Sequence, residues 1–248
     1  MLLALITAYA ISDIALAAFA HGRAFDVPQV TLMALGISQA ALIGLWLGIG
    51  RMPFASRAGL SSISLFAIWG SLAFGLQGPD LGTGAQAIIA AFTVATSTAV
   101  ALTGLVMRRI GVFVGQEGEA PTSVTPARMQ FTLLDLIQFT TGVALLCVGI
   151  PTMRSMVPDA KVVDSIALSS MAIAGTTTGA AWGALSRQRI GWRLLAAPFV
   201  VAMALLAYYV DRGWDMPIIM LVQAAISTAT LLVVRTAHFR LYVPSRDA

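Results

Sequence analysis

With 248 residues, 58% of them hydrophobic and only 10% charged, the chain is not built for water, since soluble domains carry roughly a quarter charged residues. Its mean hydropathy is +0.86, and a water-soluble domain of this size exposes about a quarter to a third of its chain, too much to cover with so few polar groups. Fourteen Arg and one Lys against eleven acids leave a net charge of +4. In a membrane protein that excess belongs to loops facing anionic lipid, not to nucleic-acid recognition.

A helix needs about 20 mostly apolar residues to cross the hydrocarbon. Eight such runs follow one another at roughly 1–20, 30–50, 58–77, 85–107, 130–150, 162–185, 194–210 and 217–234. The expected fold is all-α, a polytopic membrane protein of eight transmembrane helices. The first run opens at Met1-Leu2-Leu3 without a basic n-region and carries Asp13, so it is expected to stay as a helix and not to be cleaved as a signal peptide. Breaks such as His21-Gly22-Arg23, Arg51-Met52-Pro53 and Gly78-Pro79-Asp80 separate the early spans, and Pro217 sits where a first-turn proline opens the last one. Trp192, Tyr208 and Tyr209 suit the two interfaces of the short seventh run. The continuous apolar runs lack the alternation of a barrel wall, so strands are not expected.

The basic residues set the orientation. Loops after the second, fourth and sixth runs, with the C-terminal tail, hold eleven arginines, among them Arg51, Arg57, Arg108, Arg187 and Arg193. The opposite loops hold only Arg23, Arg154, Lys161 and Arg212. Both termini are therefore expected on the cytoplasmic side.

Three matches recur in order along the chain. Leu2-Leu3-Ala4-Leu5-Ile6 returns as Leu133-Leu134-Asp135-Leu136-Ile137. Trp46, Arg51 and Arg57 return at the same spacing as Trp182, Arg187 and Arg193. Ser97-Thr98-Ala99 returns as Ser227-Thr228-Ala229. Such self-similarity predicts a duplicated unit: residues 1–110 and 128–248 as two four-helix repeats, joined by a flexible cytoplasmic linker over 111–127. An even number of spans per unit makes the repeats parallel, related by an axis along the membrane normal.

Helix packing in lipid relies on small residues, and Gly44 and Gly48 in the second run and Gly175, Gly179 and Gly183 in the sixth have that spacing. The Thr176-Thr177-Thr178 run between them is either a hydroxyl-lined path or a set of side chains bonded to their own backbone. Asp13 is the foremost functional pointer, because an ionisable group about 18 Å along a spanning helix lies slightly past mid-bilayer. Its expected partners are Ser12 and amides such as Gln39; the alternatives are a single satisfied polar contact or a span shifted so that Asp13 lies near the interface. Gln39, Gln138 and Gln223 are deep amides, and Asp135 and Asp164 lie nearer span ends, as capping or interfacial groups. The basic rim of Arg51, Arg57, Arg187 and Arg193 is expected to meet lipid phosphate or set topology, with a cytoplasmic partner as the alternative.

His21 and His238 fall on opposite faces and cannot share a haem, and Cys147 is the one cysteine, so no zinc or disulfide pattern exists. P-loop, GxSxG and HExxH motifs are absent, and Lys161 is expected in an external loop, which would exclude an intrahelical Schiff base. No cofactor, no metal and no enzyme activity are expected.

Arg128 to Leu146 reads RMQFTLLDLIQFTTGVALL. Its Phe131-Thr132-Leu133 and Thr140-Thr141-Gly142-Val143-Ala144-Leu145 resemble a segment common in uncharacterised bacterial multi-pass membrane proteins, often near their N-termini; those proteins have a basic residue where Leu134 stands. The resemblance implies a bacterial cell membrane and a fifth span that looks like a protein start, as fusion of two similar units would leave. It implies no activity. The expected function is a small solute or ion transporter or channel with a path between the repeats. The alternative is a non-catalytic scaffold or subunit of a larger membrane complex, with lipid binding at the Arg rim a third option. Expected partners are the bilayer, anionic headgroups and other membrane subunits, and not nucleic acid.

Overall fold

The computed structural model describes residues 2–21, 27–49, 54–76, 83–109, 113–116, 160–185, 198, 200–202, 205, 215–236 and 239–242. Its long helices are α1 (Leu2–Ala20), α2 (Val27–Ile49), α3 (Phe54–Gly75), α4 (Thr83–Arg109), α5 (Ala160–Leu185) and α6 (Asp215–Thr236). They fall on the first four, the sixth and the eighth apolar runs. Run 130–150 lies outside the described residues, and of run 194–210 only five positions are described, all helical. Prolines mark the starts: Pro28 and Pro217 stand in the first turns of α2 and α6, where no intrahelical donor is lost.

Among the described residues four helices are long and apolar enough to cross a membrane, over Val27–Ile49, Ala55–Gly75, Ile88–Arg108 and Pro217–Thr236, and Ile6–Ala20 forms a shorter apolar helix. The outer faces agree with lipid as solvent. Ile11 and Ile14 on α1 and Ile63 and Phe66 on α3 all stand more than 60% exposed, an arrangement that water would penalise by roughly 1.5–3 kcal/mol per side chain.

α2 lies at the centre and packs against each of the other five helices. One apolar core joins α2, α4, α5 and α6 through Ile37, Leu45, Val100, Ile173, Ile219 and Met220; a smaller one joins α1, α2 and α3 through Ala17, Leu32, Ile68 and Leu72. The closest approach is between α2 and α4. A Cβ on Gly44 would collide with the carbonyl oxygen of Ser97, and one on Gly48 would stand 2.7 Å from the carbonyl oxygen of Ala101 and 2.8 Å from the Cα of Gly104. Only glycine lets the two backbones come so near. Gly175, Gly179 and Gly183 are half-buried along α5.

Helix ends leave carbonyls without intrahelical donors, and side chains from neighbouring helices supply them. Gln29 Nε2 donates to Ala20 O at the end of α1 (3.3 Å), and His21 Nδ1 donates to Phe74 O (2.9 Å) while its ring stacks on Phe74 at 4.4 Å. Arg57 donates to Leu47 O and, at 3.4 Å, to Trp46 O at the end of α2. Arg235 donates to Ala184 O at the end of α5 (2.8 Å). Arg57 is thus drawn inward, at 2% exposure, and departs from the exposed rim that its position in a loop-flanking cluster suggested. A cation near a helix C-terminus also complements the dipole there.

Two short strands were not expected. β1 (Phe113–Gln116) and β2 (Phe239–Tyr242) pair antiparallel with Phe113 opposite Tyr242 and Gln116 opposite Phe239, and β2 packs on α5 and α6. β1 falls within the stretch 111–127 that was expected to link two units, and its backbone groups find partners in β2. A four-residue stretch carries too little alternation to announce this in sequence.

A buried polar network between the helices

Asp13 lies on the face of α1 turned toward α2, where Gln39 Nε2 donates to its Oδ1 at 2.7 Å. Its helical neighbours Ser12 and Ile14 face outward, so Ser12 is not a partner at this site. The geometry follows from helical period: Tyr9 and Asp13, four apart, share one face. The Tyr9 hydroxyl meets Thr230 Oγ1 on α6, with Ser38 of α2 in its neighbourhood.

From Ser38 the polar contacts continue inward. Ser38 Oγ and Ser227 Oγ are 2.9 Å apart. Gln223, one turn before Ser227 on α6 and fully buried, donates through Nε2 to Ser227 Oγ (3.0 Å) and to Thr177 Oγ1 (3.1 Å). Its Oε1 accepts from Thr176 Oγ1 (3.2 Å), whose proton is shared with Ile173 O (2.9 Å). Thr178 instead bonds its own backbone at Ala174 O (2.8 Å). The threonine run therefore divides: two hydroxyls face α6 and the third serves its own helix.

Donor counting fixes the direction at two links. Thr230 gives its single proton to Ile226 O at 2.9 Å, so Tyr9 must donate to Thr230. Ser227 accepts from Gln223, and in the Ser38–Ser227 pair either hydroxyl can be the donor. A second hydroxyl pair, Thr96 Oγ1 with Ser170 Oγ at 3.4 Å, links α4 to α5.

No known protein family, curated protein or solved structure matches this chain. The site must be judged on its own geometry.

Asp13 and Gln39 form one pair; Thr176 and Thr177 join the same network through Gln223; Gly44 and Gly48 lie outside it, at the α2–α4 contact. Gln138, Arg51, Arg187 and Arg193 lie outside the described residues, as do Cys147, Asp135 and His238. Tyr9, Ser38, Ser227 and Thr230 were not singled out by sequence. Their signal was present but weak: each is one polar group among several on a mostly apolar helix, and only the packing of α6 between α2 and α5 brings the hydroxyls of α2, α5 and α6 together. Among the described residues no group of three or more His, Cys, Asp or Glu side chains is placed to hold a metal.

Proposed function

We propose that the chain is a small transporter or channel in a bacterial cell membrane, with a path for a polar solute or ion between two parallel halves and both termini on the cytoplasmic side. The observation that carries this reading is the hydrogen-bonded set from Ser38 through Ser227 and Gln223 to Thr176 and Thr177, with Tyr9, Asp13 and Gln39 beside it. Polar groups cost several kcal/mol each when unsatisfied in hydrocarbon, so a cluster of eight at mid-helix depth is retained against a steep gradient.

The arrangement of helices supports the two halves. In a duplicated chain α5 is the counterpart of α2, and α6 of α4. Exchanging these names carries the ring α2–α4–α5–α6 onto itself, since α2 packs on α4 and α6, and α5 packs on the same two. Two of the contacts between halves, α2 with α6 and α4 with α5, each hold one buried hydroxyl pair. The strands repeat the pattern: Phe113 and Phe239 each stand four residues beyond a helix-terminal arginine, Arg109 and Arg235, and the register of the ladder is unchanged by swapping the strands. The Ser38–Ser227 and Tyr9–Thr230 links join one proposed half to the other, and the join between repeats is where parallel-repeat transporters place their substrate.

A scaffold would be expected to offer small residues on an outer face. The outer faces of α1 and α3 carry large apolar side chains together with small ones such as Ala8, Ala15, Gly59 and Gly70, while Gly44 and Gly48 are used internally; the partner-binding reading ranks second because it leaves the buried polar network without a role. The test is reconstitution into liposomes followed by light-scattering measurement of shrinkage and swelling in small polyols, urea and amino acids, and of dye-reported ion flux. Permeation that Gln223→Leu abolishes is the expected result. Impermeable vesicles, together with a stable heteromeric complex on purification in mild detergent, would overturn it in favour of a subunit.

A further inference from the structure

The Asp13–Gln39 pair has a chemistry distinct from the hydroxyl chain beside it. Asp13 is the one carboxylate within the body of a described helix; Asp164 and Asp215 stand in the opening turns of α5 and α6. A carboxylate held in hydrocarbon is expensive as an anion and far cheaper as the neutral acid. Gln39 is a partner suited to both forms. Its amide N–H donates to the carboxylate, as found here at 2.7 Å, and after rotation by half a turn its carbonyl accepts from the protonated carboxyl.

We infer that Asp13 with Gln39 is a proton-binding site, and that protons are the ion this membrane protein moves or couples to. The proton is taken up by Asp13 to form a neutral carboxylic acid, with no other bond made or broken. Sodium would need several oxygen ligands at once, and the one partner that Asp13 has here is the Gln39 amide. The surroundings of Asp13 hold little competing charge. Its own helix brings Tyr9 one turn away, and His21 two turns beyond, held against Phe74. α2 brings Gln39 and Ser38 and no ionisable group. On α3 the ionisable side chain is Arg57 in the first turn, and on α6 the ionisable positions are Asp215 and Arg235 at the two ends. Asp13 therefore takes its proton without exchanging it for a neighbouring charge. Its place on a lipid-facing helix, with the Tyr9 hydroxyl adjacent, gives the proton a route toward the chain at the centre.

The coupling part of this inference rests on the transport reading; the binding part does not, and the experiment separates them. The full chain, in vesicles of phosphatidylethanolamine and phosphatidylglycerol, is treated with a lipid-soluble carbodiimide, which adds to protonated carboxyls in apolar surroundings, and the modified peptide is located by mass spectrometry. Asp13 is expected to carry the adduct, and above its titration midpoint labelling should fall by roughly tenfold per pH unit. Gln39→Leu should shift that midpoint, and Asp13→Asn, eluting as the same folded species, should lose the adduct. Absence of labelling at Asp13 in the wild-type protein, or labelling that ignores pH between about 5 and 9, overturns the proton site. The same vesicles loaded with a pH-sensitive dye report coupling. Labelled Asp13 with no proton flux leaves the binding site standing and refutes transport, whereas flux that survives Asp13→Asn refutes the role of Asp13 and leaves transport standing.

Discussion

Replacing Gln223 by leucine removes the amide at the centre of the polar network while keeping nearly the same volume. Three interhelical or intrahelical bonds disappear: Nε2 to Ser227, Nε2 to Thr177, and Oε1 from Thr176. The partners are not equally stranded. Thr176 keeps only Ile173 O on its own helix and Ser227 keeps Ser38, so Thr176 and Thr177 both lose their bonds to α6. Side-chain hydrogen bonds in membrane proteins average about 0.6 kcal/mol each, which sums to roughly 2 kcal/mol for three, partly offset by the apolar gain of leucine. Gln223→Leu should therefore unfold about 1–2 kcal/mol more easily in a reversible detergent titration. A cycle with Ser227→Ala should show a coupling near 0.6 kcal/mol. The location of the loss matters as much as its size: it should appear in the docking of α5 against α6. If Gln223→Leu is as stable as wild type and the cycle gives no coupling, the network does not hold the helices together and the geometric argument fails.

Gly44→Ala should destabilise by about 1–3 kcal/mol through overpacking against the backbone of Ser97, whereas Gly59→Ala, with nothing within 4 Å of its new methyl, should gain up to about 1 kcal/mol from helix propensity; fluorescence-detected size exclusion after heating compares the two. Ser61 Oγ is buried without a hydrogen-bond partner among the described residues, so Ser61→Ala should be neutral or stabilising by about 1 kcal/mol, read from the same melting curve. In a Cys147→Ala background, an impermeant maleimide should reach Arg108→Cys from the cytoplasmic side and His21→Cys from the other. Labelling of both from one side sinks the orientation on which the depth of Asp13 depends.

The sequence determined by itself what the solvent is and where six of its long apolar runs become helices, because apolar length and flanking polarity are local properties of the chain. Asp13 and the Gly44–Gly48 spacing were visible for the same reason: a carboxylate or a glycine pair stands out on an apolar background without any knowledge of neighbours. The identity of partners was not visible. Arg57 and Arg235 look alike as loop-flanking cations, yet both fold inward onto helix carbonyls, since which carbonyl end lies within reach is a matter of packing. Tyr9 and Thr230 are 221 residues apart, and Ser38 and Ser227 are 189 apart; a single hydroxyl on a helix says nothing of the face it will meet. Tertiary structure decided those meetings, and with them which polar residues form one network and which, like Thr178, only serve their own backbone. The reason is the absence of water: each buried polar atom must find a partner inside the protein, and only the assembled bundle determines which one is near enough.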